Sequence, residues 1–343
     1  MLINNIYGKY KTISIVGMAK NSGKTVALNH LIGEAFNLGL KIGILSTGRD
    51  GESVDVLTET EKPRIFVEEG TIVVTTSSLL SISDATVEIM KVTDYRTPLG
   101  NILIGKVKVS GYLQISGPQT AKDIKDISNI LIDLGADMVI IDGAIDRKFS
   151  AAPSISEATI LATGAVLSRD MNRVIEETAH LVNLFKLPSI VNSKERKIIE
   201  GLMDRGEIAI IDRDLNVEIL DIKTALSGGR IIGESLQDDS KYIVITGSLI
   251  NKTLEDIILT TDKYKNVDIV ISDGTKVFIS PKDWIRYQRY GINVKVLYPI
   301  NLVAVTLNPF APQGYYFDPE EFLSRTRYYV KDIPVVDLML GGM

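Results

Sequence analysis

Residues 12–25, Thr-Ile-Ser-Ile-Val-Gly-Met-Ala-Lys-Asn-Ser-Gly-Lys-Thr, decide how the chain is read. Thr12–Val16 is a short apolar run of the kind buried in a parallel sheet. A helix from Val26 to Leu38 follows at once and stops at Gly39. A strand, a Gly-Lys-Thr turn and a helix N-terminus together make an anion site. Consecutive backbone N–H groups point into the turn, and the helix dipole adds about half a positive charge. The contacts expected there are Ala19, Lys20, Asn21, Ser22, Gly23, Lys24, Thr25 and Val26. Lys24 would reach the β- and γ-phosphates of a nucleoside triphosphate and neutralise charge during transfer, and the Thr25 hydroxyl would sit on Mg2+. The usual first glycine, five residues before Gly23, is Met18, and Gly17 lies one position too early. An ordinary Gly-containing turn is the plainer alternative, but the strand and helix that the phosphate reading requires flank the turn on both sides.

Composition narrows the classes. The 343 residues leave room for two domains, and 45% hydrophobic with 24% charged residues is ordinary for a well-cored globular chain. A net charge of −5 argues against nucleic acid as a partner, which would call for a basic stripe. With no cysteine, disulfides, thiolate zinc, Fe–S ligation and Cys nucleophiles are excluded. Two histidines, His30 and His180, are too few for a His-rich metal centre. The first residues lack the apolar core and cleavage site of a signal peptide, and no stretch approaches the ~20 apolar residues of a spanning helix. A cytoplasmic protein without membrane association is expected.

Strand and helix alternate through the first half, as in a parallel sheet. Lys41–Ser46 reads as the second strand, ending in Thr47-Gly48-Arg49-Asp50-Gly51-Glu52. Ile65–Val67 and Thr71–Thr75 read as a short β pair around Glu68-Glu69-Gly70. Val87–Val92 and Leu103–Gln114 flank Pro98-Leu99-Gly100, which predicts an antiparallel hairpin added to the sheet edge. The helix Ala121–Leu134 carries Ile124, Ile127, Ile130, Leu131 and Leu134 at 3–4 spacing and is capped by Gly135. A buried strand follows at Asp137–Ile141, another at Ala158–Thr163, then helices at Asn172–Phe185 and Lys194–Asp204. From Lys241 a second strand–helix rhythm begins. The polar stretch 233–240 is the natural boundary, giving a nucleotide-binding domain over 1–235 and a smaller α/β domain over 236–343.

Met138-Val139-Ile140-Ile141-Asp142 is the second informative piece: a central strand ending in an acid, placed to hold Mg2+ directly or through water. Asp at a strand end also caps turns, so this reading gains weight only downstream of a phosphate loop. Asp50 and Glu52, at the carboxyl end of the second strand, are the candidates to orient a nucleophile, with Arg49 on phosphate; a surface turn is the alternative. Asp146, Arg147 and Lys148 would sense the γ-phosphate or form a solvated charge run. Thr163-Gly164 suits a close backbone approach. Asn251-Lys252-Thr253-Leu254 lacks the acid of a guanine-reading motif, which favours ATP over GTP. His30-Leu31-Ile32-Gly33 lies inside the first helix and, with Leu28 two before the His, is not a cobalamin motif. Trp284, Tyr287 and Tyr290 form a packing stripe at helical spacing. Gly314–Asp318 and the apolar tail Val335–Leu340 either pack or meet a partner chain.

The loop Gly17–Thr25 resembles that of the SIMIBI-type P-loop proteins, among them dethiobiotin synthetase, whose loop also carries one extra residue between its two glycines. Together with Gly48-Arg49-Asp50-Gly51-Glu52 and Ile141-Asp142-Gly143-Ala144, the chain resembles the smaller, P-loop subunit of the lysine 5,6-aminomutase reactivases over most of its length. The resemblance implies an α/β P-loop NTPase domain with a mostly parallel sheet, binding ATP and Mg2+. It also implies work beside a MutS-like ATPase subunit to release inactivated cobalamin from lysine 5,6-aminomutase in anaerobic lysine fermentation. The loop spacing leaves open whether ATP is hydrolysed or only bound. The rival expectation is a small-molecule kinase or ATP-dependent ligase of the dethiobiotin synthetase type, with the Arg49–Glu52 loop holding a substrate.

Overall fold

The computed structural model describes residues 1–47, 65–143 and 152–338. Its first strand, β1 (Thr12–Gly17), runs into α1 (Lys24–Asn37) and on to β2 (Ile42–Ser46). There follow β3 (Ile65–Val67), β4 (Ile72–Thr76), the short α2 (Ser77–Leu80), β5 (Thr86–Thr97), β6 (Gly100–Val109) and β7 (Gly111–Leu113). Then come α3 (Ala121–Asp133), β8 (Met138–Asp142), β9 (Ala158–Gly164) and α4 (Met171–Phe185). The next stretch holds α5 (Ser193–Arg205), β10 (Ala209–Asp212), β11 (Val217–Ile219), α6 (Gly229–Ser235), β12 (Ser240–Val244), β13 (Leu249–Ile250) and α7 (Asn251–Thr260). It continues with β14 (Asp268–Ile271), β15 (Val277–Phe278), α8 (Pro281–Arg289) and β16 (Asn293–Val296). The chain closes with β17 (Leu302–Asn308), α9 (Pro319–Tyr329) and β18 (Val335–Asp337). No helix among the described residues is long and apolar enough to cross a membrane.

The protein is α/β, and two compact units divide it: residues 1–179 with 301–343, and residues 180–300. The first unit is built on a nine-stranded sheet in the order β18-β17-β9-β1-β8-β2-β4-β6-β5. Neighbours from β18 to β4 are parallel. The hairpin β5–β6 adds itself antiparallel to β4 at the edge, turning through Pro98-Leu99 as the sequence predicts. The parallel strands are mostly apolar and buried along most of their length because both faces are covered. Ile13, Ile15, Ile44 and Ile140 pack with Leu28 and Leu31 of α1 in one cluster. Leu45, Val139 and Ile141 pack with Ile124, Ile127 and Leu131 of α3 in another. The Thr120 hydroxyl caps α3 by accepting from Asp123 N, and Gly135, at φ +98°, lets the chain turn out of it. Near the other end of α1, the Glu34 carboxylate accepts from Leu2 N and Ile3 N at 3.0 and 2.7 Å and pins the first residues to the helix.

The second unit has the order β11-β10-β12-β14-β16, with β12, β14 and β16 parallel and joined through α7 and α8. Ile243, Ile269, Leu254, Ile257, Trp284 and Tyr287 lie in its core, while Tyr290 is exposed. The aromatic stripe is therefore packing for two of its three members.

Three expectations change. Ile65–Val67 and Thr71–Thr75 do not pair with each other: β3 pairs antiparallel with β7, and β4 lies parallel to β2 inside the sheet. All five residues of β4 are buried, a pattern that a solvent-facing hairpin cannot provide. The predicted strand Leu103–Gln114 breaks at Ser110 into β6 and β7. The division of the chain falls at 179/180 and 300/301, and the polar stretch 233–240 is the end of α6 and the turn into β12 inside the second unit, tied by Gln237 N to Ser240 Oγ at 2.9 Å. Leu302-Val303-Ala304-Val305-Thr306-Leu307 returns to the first sheet because so apolar a run requires cover on both faces; β17 pairs with β9 on one side and β18 on the other. The apolar tail is accordingly part of the sheet over Val335–Asp337.

Candidate anion-binding site

The order of strands reverses about β1. The connection through α1 leads to β2 on one side, whereas β9 and β17 lie on the other. In open parallel sheets this reversal leaves a crevice at the carboxyl edge. The segment Met18–Gly23 sits at that edge. Its entry is fixed by Met18 N donating to Ala162 O of β9 at 2.9 Å, and by the Met18 sulfur accepting from Thr178 Oγ1 of α4 at 3.4 Å.

The segment is tightly wound. Asn21 adopts φ +62° and Gly23 φ +98°, both in the left-handed region, and these reversals turn the chain from β1 into α1. Space inside the turn is minimal. A Cβ on Gly17 would fall 2.4 Å from Ser22 Oγ and 2.9 Å from Lys24 Cγ and Cδ, so the lysine stem lies back over the end of β1. Ser22 is 1% exposed, and its hydroxyl has no hydrogen-bond partner among the described residues. Thr25 is partly exposed in the first turn of α1, and Val26 is exposed.

Electrostatics favour an anion here. Helices α3, α8 and α9 each carry an acid in their first turn (Asp123, Asp283, and Glu320 with Glu321) and a side-chain cap. Helix α1, like α6 and α7, has neither: Gly23 supplies no side-chain cap and no acid stands in the first turn; what sets α1 apart is that Lys20 and Lys24 flank its start. The positive end of the helix dipole is thus left uncompensated by side chains of its own first turn.

Asp142 is brought to the same edge. It ends β8 in register with Ile15 of β1 on one side and Ser46 of β2 on the other. Its backbone oxygen accepts from Thr47 N at 2.9 Å, and Gly143 N donates to Ile15 O at 3.0 Å. Asp50 and Glu52, with Gly48, Arg49, Gly51, Ala144, Asp146, Arg147 and Lys148, lie outside the described residues. Among the described residues no three His, Cys, Asp or Glu side chains form a metal cluster.

Two pieces of the site escaped the sequence reading. Asn308, the last residue of β17, donates from Nδ2 to Asn21 O at 3.0 Å. Its clue was an apolar strand ending in a polar residue and Pro309, the same grammar as Met138–Asp142. Gly117, ahead of α3, packs so closely on β2 that a Cβ would fall 1.8 Å from Ser46 O. Gly164 makes the close approach expected of it, against Asn308 O. His30 is explained by its bond to Glu34 at 3.0 Å. In the Gly314–Asp318 stretch, Phe317 is buried against Phe322, and the Tyr315 hydroxyl donates to Ala165 O at 2.8 Å.

No known protein family, no curated protein and no solved structure matches this chain.

Proposed function

We propose that residues 17–25 form a P-loop holding the triphosphate of MgATP. The observation that carries this reading is the turn itself: it leaves the carboxyl end of a central parallel strand, reverses through Asn21 and Gly23 in the left-handed region, and enters a helix whose first turn has no acid. The turn's amides and Lys24 offset phosphate charge, and Thr25 and Asp142 are the residues to hold the ion. When bound, Mg2+ supplies charge neutralisation at the β- and γ-oxygens. Asp50 or Glu52 would orient the attacking water.

The finer reading rests on the resemblance of the three short motifs. The chain is the ATP-binding subunit of a reactivating factor that works with a MutS-like ATPase subunit and restores a cobalamin-dependent aminomutase, lysine 5,6-aminomutase, by ATP-driven cofactor exchange in the cytoplasm. The Gly48–Glu52 and Ile141–Ala144 motifs support it.

Thermal unfolding with and without MgATP tests the first reading. A ligand at a hundred times its Kd adds about 2.7 kcal/mol, so the midpoint should rise by several degrees and Lys24→Ala should abolish the rise. A Lys24→Ala protein that keeps the whole shift overturns the assignment. ATPase assays with and without an aminomutase preparation carrying inactivated cobalamin test the second. Stimulation by the aminomutase supports the reactivating factor, whereas turnover that needs only a small molecule supports a kinase or ligase of the dethiobiotin synthetase type.

A further inference from the structure

We infer that Asn308 is a positioning residue for the phosphate-binding turn: its side-chain amide holds the turn in the ligand-ready shape from the end of β17, two strands away along the same sheet edge. The inference rests on the phosphate-binding reading above. Asn308 stands 287 residues from Asn21 in sequence, yet its Nδ2 donates to Asn21 O at 3.0 Å. Asn21 is the one non-glycine residue of the turn with a positive φ, at +62°, a left-handed conformation that asparagine adopts more readily than most residues. The bond therefore falls on the peptide at which the turn reverses.

The amide has little freedom to do anything else. Its Oδ1 accepts from Phe310 N at 3.2 Å, which uses the other end of the group. Two glycines allow the fit. A Cβ on Gly23 would lie 3.1 Å from Asn308 Cβ, and one on Gly164 would lie 2.3 Å from Asn308 O. Turn, β9 end and β17 end are thus packed backbone to side chain around a single asparagine, with its donor aimed at the carbonyl of the left-handed Asn21. The amides of Ser22, Gly23 and Lys24 follow directly from that carbonyl. A turn held in the binding shape forfeits less affinity to conformational search, since apparent Kd scales inversely with the competent fraction.

The test compares wild type, Asn308→Ala and Lys24→Ala for affinity toward MgATP and toward magnesium tripolyphosphate, with thermal midpoints and amide hydrogen exchange of residues 18–24 in the nucleotide-free protein. Asn308→Ala should weaken ATP and tripolyphosphate by the same factor, about three- to tenfold. It should also speed exchange across the turn, while the midpoint stays within a few degrees of wild type. Loss of ATP affinity with tripolyphosphate unchanged would mean that Asn308 reads the nucleoside, and would overturn the inference. So would a lowered midpoint with both affinities intact, the signature of a purely structural asparagine. If wild type binds neither ligand, the phosphate reading itself fails and takes this inference with it. If wild type binds, Lys24→Ala does not, and Asn308→Ala behaves as wild type, only the positioning role is lost.

Discussion

Two glycines in the first unit make opposite demands on a methyl group. Gly164 has an extended φ of 179° that any residue adopts, so its constraint is space: an alanine Cβ would stand 2.3 Å from Asn308 O. Gly164→Ala should cost about 1–3 kcal/mol through overpacking. Gly33 lies within α1 with nothing within 4 Å of its Cβ position, and Gly33→Ala should raise stability by about 0.4–1 kcal/mol. Denaturant melts of the two variants check both signs. In the second unit, tyrosines set an alkaline limit. Burial, then the Glu200 carboxylate that accepts from its hydroxyl at 2.9 Å, pushes the Tyr298 phenol up to about 12. Tyr242 is raised likewise by burial and by its bond to Glu195. Because the native state favours the neutral phenols, their contribution is complete below the unfolded value of about 10 and is lost as pH climbs toward about 12. Melts between pH 9 and 12 should show the loss, and Tyr298→Phe should shallow it. Glu195 runs the other way. Burial alone would raise it, but hydrogen bonds from Lys241 and Tyr242 outweigh that and hold it below its ordinary value, so its contribution fades only in acid.

Helix α3 was read correctly from spacing alone because its amphipathic stripe and its caps are local. Ile124, Ile127 and Leu131 face Val139, Ile141 and Leu45 in one cluster. Ile127→Ala should cost about 2–5 kcal/mol, visible as a lower urea midpoint with an unchanged slope. The hairpin β5–β6 was equally legible, since its turn joins strands adjacent in sequence. β3 and β4 were not. Each is a short apolar run, and periodicity cannot say whether such a run pairs with its neighbour or with a strand far along the chain; the pairing of Ile65 with Leu113 is of the second kind. The candidate site divides the same way. Gly17–Thr25 and Asp142 announce themselves by local pattern, whereas Asn308 and Gly117 matter through what they touch, and those neighbours are brought in by the sheet.

At the scale of the molecule, the first unit is discontinuous: it is interrupted by residues 180–300 and completed by 301–338. Composition pointed instead to a boundary near 235, because a polar stretch is visible in sequence and a returning strand is visible only by its partners. The difference has a measurable consequence. A chain cut after Ile300 would lose β17, which lies between β9 and β18, and with it Ala304 from the core. Such a truncation should leave the first unit unfolded, with no MgATP-dependent rise in the midpoint, although residues 1–179 all remain; a cut at 235 should do no better. The order of synthesis follows from the same interruption. On the ribosome, the inserted unit is complete before the strand that seals β9 has been made, so the flank of β9 stands bare through the intervening translation. Unsealed strand flanks invite stray pairing, which makes that interval the moment when a nascent chain of this protein most needs a chaperone.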